Sequence, residues 1–301
     1  MSMVSDSENA RVGWTAEPKD LPWDWMGNEC AWPPLNKLHE IRVLTNLRWG
    51  LATYIVGDLA VWEITQEVFC DMEVLDLDNP GESQYAALSY TWGDPFPENY
   101  KAEDNKKKAE SKEDGQEKEV REYRIHCNGG SIRTTNNLHA ALRSRLIQRF
   151  KGPIWIDAVS INQADVVEKG FQVGMMDKIY AKAEAVLVWL GPEDESSQTT
   201  LKLANTISDG YKKIPEEIRP RGHYAFNDKA LYAMLGVEPI SIKDWDAVIR
   251  FFSRTWFRRI WMVQEIALSH RLHFVCGEKV SVGLSWRDLL SGSTPLGGMW
   301  S

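Results

Sequence analysis

The chain has 301 residues, enough to bury a substantial core in one large domain or two smaller ones. Its 35 basic and 43 acidic residues give a net charge of −8, which argues against a nucleic-acid backbone as the main partner. No apolar run approaches the roughly 18 to 20 residues of a membrane span, and the start MSMVSDSENARVG does not resemble a secretory signal. The cysteines are widely spaced without a CxxC pair, which favours reduced thiols in a cytoplasmic protein: Cys30, Cys70, Cys127 and Cys276.

The first 40 residues are rich in tryptophan and proline, and the prolines exclude a regular helix or central strand. We interpret this segment as an extended arm whose indole rings pin it to the domain surface. An exposed partner-binding motif is the alternative. The tryptophans concerned are Trp14, Trp23, Trp25 and Trp32.

The next stretch, residues 41–77, predicts short strands and turns. Residues 85–90 form a mostly apolar run that ends at Gly93-Asp94-Pro95, as expected for a buried strand that leads into a turn. Residues 101–122 contain seven basic and eight acidic residues, which predicts a charged, disordered insertion.

A hairpin turn is predicted at Asn128-Gly129-Gly130, and helical spacing follows over residues 136–150. Residues 154–159 and 185–190 predict two further buried strands. Between them, Asp165 and Glu168 have the spacing of a capping box at a helix start. The apolar positions of that helix should face the core: Val173, Met176, Tyr180 and Ala183.

Strand, helix and strand within about forty residues indicate a βαβ unit, and hence an α/β fold with a parallel sheet. Residues 193–244 carry helical patterns at 200–211 and 228–235, which we interpret as a helical insertion. A last helix over residues 256–269 leads to a strand at 272–276, and residues 291–301 form a tail.

Several common site chemistries lack their motifs. The chain has no GxxxxGK[ST] phosphate loop, no GxGxxG after a strand and no GxSxG elbow. His270, His273 and Cys276 are spaced three apart, but on a strand His273 and Cys276 point to opposite faces and no second ligand pair follows. The sequence therefore predicts no metal site and no bound cofactor.

Three stretches carry a family resemblance: YAALSYTWGDP from Tyr85, IWIDAVSINQ from Ile154 with the helix and strand that follow, and RTWFRRIWMVQEIAL from Arg254. In this order they resemble the HET (heterokaryon incompatibility) domain of filamentous fungi, over residues 41–290. The resemblance implies an incompatibility or innate-immune-like effector that triggers programmed cell death. The family normally has a cysteine where this chain has Ser160, so a thiol nucleophile is excluded at that position.

HET domains are in turn distantly similar to TIR domains. YAALSYTWGD resembles the TIR opening strand, WIDAVSINQ a later TIR strand, and Trp261 with Glu265 the tryptophan and acid of the TIR signature WCxxE. The resemblance implies a TIR-like (flavodoxin-like) parallel sheet with helices on both faces. Enzymatic TIR domains cleave NAD between nicotinamide and ribose. The resemblance therefore implies an NAD glycohydrolase, with NAD or a related nucleotide as its substrate.

Glu265 is the predicted catalytic carboxylate, because a carboxylate near the ribose would stabilise the positive charge that develops there. Trp261 or Trp92 could stack on the nicotinamide or adenine ring. Arg258 or Arg259 could hold the pyrophosphate, and Arg258 is the preferred candidate. The alternative role of Glu265 is structural, as the partner of a nearby arginine that fastens the helix to the sheet.

Further candidate substrate-binding residues lie at the predicted carboxyl ends of two strands, where open α/β sheets bind ligands. Asp94 could equally cap its turn, and Asn162 and Gln163 could equally fix their loop. Asp157 is more simply a hydrogen-bonded anchor than a functional charge. The full set is Ser89, Trp92, Gly93 and Asp94 after the first strand, with Asn162 and Gln163 after the second.

A non-enzymatic signalling module that acts by self-association or partner binding is the competing hypothesis. A Glu265 sealed in the core by arginine would favour it, whereas one that lines a cleft with Asp94 and Trp92 would favour the enzyme. Both hypotheses expect a homo-oligomer in the active state and an incompatibility partner protein that the sequence does not identify.

Overall fold

The computed structural model describes residues 12–14, 30–56, 61–79, 84–97, 123–218 and 228–281. The predicted disordered insertion, the tail, Trp23 and Trp25 lie outside these residues. The chain folds into two compact units. The first comprises Met1–Ala86 and Glu119–Met176, and the second comprises Ala87–Lys118 and Asp177–Ser301.

The first unit is built on a long antiparallel hairpin, β2 (Glu40–Val56) with β3 (Val61–Asp76). The short β1 (Val12–Trp14) pairs antiparallel with β2. The prediction of short strands and turns over residues 41–77 is therefore wrong. The hairpin keeps pairing through a bulge between Thr45 and Arg48, where Asn46 has a positive φ of 52°.

The other elements of the first unit flank this hairpin. β3 pairs parallel with β5 (Tyr123–Cys127), and β5 forms an antiparallel hairpin with β6 (Gly130–Thr134) through the predicted Asn128-Gly129 turn. On the other side, β7 (Ile154–Trp155) pairs antiparallel with β2. The helices are α1 (Asn136–Arg143), α2 (Arg145–Arg149), α3 (Asp157–Ser160) and α4 (Val166–Gly174).

The predicted strand over residues 154–159 is confirmed for its first two residues and wrong for the other four. After two strand residues the chain turns into α3, and the Ser160 hydroxyl accepts a hydrogen bond from the Ile156 amide at 3.0 Å. Asp157 is thus the first residue of a helical turn. Its carboxylate accepts from the Ala158 amide at 2.7 Å.

The second unit contains β4 (Ala86–Ser89), whose first residue belongs to the first unit, next to β8 (Ala185–Trp189). β8 pairs parallel with β9 (Leu272–Cys276), and β9 pairs antiparallel with β10 (Lys279–Ser281). The helices are α5 (Met176–Lys182), whose first residue belongs to the first unit, α6 (Glu195–Lys213), α7 (Lys229–Leu235), α8 (Ile242–Phe252) and α9 (Met262–Leu268). Two 3-10 turns lie at Glu216–Ile218 and Thr255–Arg258.

The protein is thus α/β with mixed strand pairing, parallel in β3–β5 and β8–β9 and antiparallel in the hairpins. The predicted helices at 200–211 and 228–235 are confirmed as α6 and α7, which enclose a small core of their own made of Ile207, Ile214, Leu231 and Leu235. The predicted helix 256–269 is instead a 3-10 turn and a separate α9, because Arg259 has an extended backbone with ψ of 134°.

Packing explains most of this architecture. β4 and β8 are buried at every position, as their continuous apolar sequences predict. The largest buried side chains of the second unit include Trp256, Phe251 and Phe274. Trp256 meets Phe274 edge to face, and Phe251 meets Phe252 of the same helix in the same way. In the described part of the chain, no helix combines the length and apolar character needed to cross a membrane.

Candidate functional site: a buried carboxylate cluster

Glu265 is the only acidic residue among the fully buried polar side chains of the second unit as far as the structure describes it, with a relative exposure of 0%. It projects from the first turns of α9, and its amide donates to the carbonyl of Trp261 one turn earlier at 3.2 Å. The short α9 therefore fixes the direction of this side chain. Burial of a carboxyl group requires hydrogen-bonding partners, because its desolvation is costly.

Three side chains supply those partners. The Ser89 hydroxyl donates to Glu265 Oε2 at 2.5 Å, and the Tyr180 hydroxyl donates to Oε1 at 3.3 Å. Arg259 Nη2 forms an ion pair with Oε1 at 3.3 Å. Two neutral hydroxyl groups and one guanidinium group thus hold the carboxyl group in place.

Ser89 connects the carboxyl group to the aromatic core. Its oxygen accepts a hydrogen bond from Trp256 Nε1 at 2.7 Å and a long one from Arg259 Nη1 at 3.5 Å. A serine hydroxyl has one proton and two lone pairs, so Ser89 uses its full capacity. We call these five residues, Ser89, Tyr180, Trp256, Arg259 and Glu265, the carboxylate cluster.

Two of the residues considered as site candidates contact the Glu265 carboxyl group: Ser89 by a hydrogen bond and Arg259 by an ion pair. Ser89 is the last residue of β4, so the cluster lies at the carboxyl end of that strand. Arg258, the preferred arginine in the prediction, ends the 3-10 turn with an exposed side chain, and its neighbour Arg259 pairs with the carboxyl group instead. Trp261 precedes α9 and is 43% exposed.

The loop after β4 is exposed. Trp92 is 44% exposed, and a side chain at Gly93 would meet no atom within 4 Å. The Asp94 carboxylate accepts from the Phe96 amide at 2.9 Å, so Asp94 caps its own turn, the alternative role that the sequence left open.

Asn162 and Gln163 belong to the first unit, in the loop between α3 and α4. The Asn162 side chain accepts from the Ala164 amide at 3.1 Å, and Gln163 Nε2 donates to the Asp157 carbonyl at 2.9 Å. These contacts tie down the loop, which is again the alternative that the sequence analysis weighed.

Sequence reasoning gave no site role to Tyr180, which was assigned to the core. Tyr180 is indeed buried. Because the hydroxyl group of a buried tyrosine requires a hydrogen-bond partner, a polar neighbour of Tyr180 could have been predicted from the sequence. Val173, assigned to the same core face, is 38% exposed, so that part of the prediction is wrong.

A second buried network lies in the same unit. Arg254, with 0% exposure, donates through Nη1 to the carbonyls of Leu190 and Pro192 and through Nη2 to the Asp194 carboxylate. Its guanidinium group also lies 4.7 Å from the centre of the Phe96 ring. Because Asp194 caps α6, Arg254 joins the chain after β8 to the start of that helix.

Within the described residues, no group of three histidine, cysteine or acidic side chains is placed to hold a metal ion. The four cysteines are buried and free. Burial lowers the pKa of His273, with a further contribution from Arg271.

The comparisons with known proteins agree on one family. The model of the family described as heterokaryon incompatibility protein (HET) matches residues 85–265. Heterokaryon incompatibility protein 6, OR allele, from Neurospora crassa is 29% identical over 235 residues, which cover 72% of this chain and 32% of that protein. The chain thus spans about a third of the length of this relative. No solved structure matches this chain.

Proposed function

Because the chain belongs to the heterokaryon incompatibility (HET) family, we propose that it acts in heterokaryon incompatibility, as a cytoplasmic module that promotes cell death on contact with an incompatible partner. The family match over residues 85–265 and the name of the Neurospora relative support this proposal. The match ends at Glu265, so it contains both the serine and the carboxyl group of the carboxylate cluster.

The geometry supports a non-enzymatic module best, one that acts by self-association or partner binding. The observation that carries this conclusion is the complete burial of Glu265, whose oxygens are occupied by Ser89, Tyr180 and Arg259. A catalytic carboxylate must come within hydrogen-bond reach of its substrate, or near the charge it stabilises. In the structure Glu265 instead links α9 to β4 and α5 through its hydrogen bonds with Ser89 and Tyr180, which is a structural role.

NAD cleavage in a TIR-like manner is the second candidate, and the place of the cluster favours it. Glu265 meets Ser89 at the carboxyl end of β4, where α/β sheets bind ligands. The Arg259 side chain is 20% exposed and Trp261 43%, so the cluster has a solvent-facing side. The parallel β8–β9 pair fits a TIR-like sheet.

In this second mechanism Arg259 would leave Glu265 to bind the substrate pyrophosphate, and Trp261 would stack on the nicotinamide ring. The freed carboxylate would then stabilise positive charge on the ribose as the bond to nicotinamide breaks. The nicotinamide ring is cationic while it is bonded to the ribose and would leave as neutral nicotinamide, so no separate general acid is needed. Water would then add to the ribose carbon and lose its proton to the solvent. The mechanism requires the Arg259–Glu265 ion pair to open.

Release of nicotinamide distinguishes the two candidates. Purified protein is incubated with NAD at low and high protein concentration, beside the Glu265→Gln variant and an Asp209→Asn variant. Asp209 lies on α6 with a side chain 69% exposed, and it serves as the exposed carboxylate control. We expect no nicotinamide above the buffer rate in any sample. Release that Glu265→Gln abolishes and Asp209→Asn keeps would establish the glycohydrolase and exclude the purely structural role of Glu265.

The incompatibility role itself is tested in cells. Induced expression of the chain in a filamentous fungus should reduce hyphal viability, whereas a Trp256→Ala variant, which empties the core beside Ser89, should not. Unchanged viability at a verified level of folded protein would contradict the proposed effector role.

A further inference from the structure

Helix α4 of the first unit carries its apolar residues on the outside. Val166 is 81% exposed, Val167 70%, Phe171 59% and Val173 38%. All four lie within the nine residues Val166–Gly174. In a helix that packs on its own domain, such residues face the core and the polar residues face water.

The inward face of α4 is polar instead. Glu168 forms a two-pronged ion pair with Arg42, with distances of 2.6 and 3.0 Å. Gln172, buried, donates from Nε2 to the Glu40 carbonyl at 2.9 Å. The helix is therefore fixed to β2 by polar contacts, and none of its four exposed apolar residues is among the buried residues of this unit.

Two glycines complete the outward face. Gly170 and Gly174 are one turn apart, and a Cβ added to either would meet no atom within 4 Å. Glycine lowers helix stability by roughly 0.5–1 kcal/mol relative to alanine, so neither residue benefits α4 itself. Glycines on an open helix face allow the backbone of another helix to approach closely.

We propose that this face is a self-association surface, on which α4 pairs antiparallel with α4 of a second copy and the two helices cross at Gly170. The face complements itself in that arrangement: Val166 lies opposite Gly174 of the second copy, Val167 opposite its Val173, and the two Phe171 rings meet beside the crossing point. Val166 thus faces a glycine, Val167 faces another apolar side chain, and the Gly170 backbones of the two copies meet at the axis. This inference rests on the proposed self-associating module.

The area of the surface sets the strength of the pairing. The four apolar side chains expose roughly 400 Å² per copy, about 800 Å² in the pair, below the roughly 1,200 Å² of stable complexes. The pairing should therefore be weak and dependent on protein concentration. Such a dimer suits a module that signals only where many copies are gathered together.

Sedimentation velocity over a concentration series tests the surface. The wild-type protein should shift towards dimer with increasing concentration, and Phe171→Asp should weaken the association at least about tenfold, because it places two carboxylates together in an apolar contact. Ile242→Asp is the matched control, since Ile242 is 87% exposed on α8, outside this surface. It should associate like the wild type.

A cross-link tests the antiparallel register. In Gly170→Cys, two introduced thiols at the crossing point form one disulfide while oxidised glutathione is reduced to two glutathione molecules. Gly170→Cys should form a covalent dimer at least about tenfold faster than Ile242→Cys, whose thiol lies outside the contact. The native cysteines are buried in both variants.

The outcomes separate the α4 surface from the proposed self-associating module. Association that Phe171→Asp leaves unchanged, or equal cross-linking in the two cysteine variants, would overturn the α4 surface while the self-associating module stands. A wild-type protein that is monomeric at every concentration, with no enhanced cross-linking, would overturn both the α4 surface and self-association as the way in which the module acts. Circular dichroism of each variant shows whether it is folded. Gly170→Cys should keep the helix, because cysteine has a higher helix propensity than glycine.

Discussion

The single hydroxyl group of Ser89 forms hydrogen bonds with three side chains, and the bond to Glu265 is the shortest of the three. The change Ser89→Ala leaves a buried carboxyl oxygen and the Trp256 indole NH without their partner. We expect it to lower the free energy of unfolding by about 2–3 kcal/mol, the cost of leaving buried polar groups unsatisfied. Urea denaturation followed by tryptophan fluorescence measures this loss.

Tyr180→Phe is the matched control, because it removes a longer contact, 3.3 Å, to the same carboxyl group and leaves the aromatic ring in place. A loss of about 1 kcal/mol is expected. If Tyr180→Phe costs more than Ser89→Ala, the carboxylate cluster is not organised around Ser89, and its description as one network anchored at β4 is wrong.

The sequence singled out Glu265 and Ser89 but did not show that they touch. Residue spacing placed Trp261 one turn before Glu265, which the structure confirms, because that relation is local. The contact with Ser89 spans 176 residues, and the preference for Arg259 over Arg258 depends on the extended residue that interrupts the helix. Neither can be obtained from helical periodicity.

At the scale of elements, α4 is held by a buried ion pair. Burial alone would raise the pKa of Glu168, but hydrogen bonds from Arg42 and from the Asn162 amide outweigh it and hold the pKa below its usual value. The carboxylate therefore stabilises the fold above its unfolded-state pKa, and this contribution is lost as the pH falls through the folded-state value.

Removal of one partner should be far more harmful than removal of both. Glu168→Ala leaves the Arg42 side chain, which is 3% exposed, without its counter-ion. We expect a loss of about 3–5 kcal/mol, and a smaller loss in the Arg42→Met/Glu168→Leu double variant, which fills the space with apolar groups. Thermal unfolding of the three proteins checks the order. A double variant less stable than Glu168→Ala would show that the other contacts of Arg42, with the Pro33 and Ser160 carbonyls, dominate.

Elements with local signals were predictable, and elements defined by distant partners were not. The Asn128-Gly129 turn appears as predicted with positive φ at both residues, and Asp165 caps α4 by accepting from the Val167 and Glu168 amides. The Glu168 side chain does not complete the predicted capping box, however, because it pairs with Arg42 instead. The long β2–β3 hairpin escaped prediction because strand length depends on the partner strand more than on local preference.

At the scale of the whole molecule, the sequence predicted the α/β class from alternating strands and helices, and the structure agrees. It did not predict that the chain divides into two units, each assembled from segments far apart in sequence. The parallel pairing of β3 with β5, across 57 residues from Val68 to Ile125, is one such long-range assembly. No local pattern encodes which strands become neighbours. The mixed parallel and antiparallel pairing could therefore not be predicted from each segment of the sequence taken separately.

The stability of the whole molecule should depend on pH through His126. Its ring is buried in β5 and stacks on Phe69 at 4.6 Å. Burial, with a smaller contribution from Arg124, lowers the pKa of His126 to about 4. The Glu67 carboxylate would oppose this shift, but at 3.9 Å from Nε2 it is too distant for a hydrogen bond.

The unfolded chain binds a proton at His126 below its ordinary pKa of about 6.5, while the folded chain does not until about pH 4. Stability is therefore complete above pH 6.5 and falls as the pH decreases through that window, by about 2 kcal/mol at pH 5 and about 3 kcal/mol at pH 4 for this residue. Urea denaturation at pH 7, 6 and 5 of wild type and His126→Phe isolates the effect, because His273, also lowered in pKa, titrates in both proteins. The variant should lose about 2 kcal/mol less than the wild type between pH 7 and pH 5. Equal losses would mean that Glu67 moves to pair with a protonated His126, so that the imidazole is not held neutral by the fold.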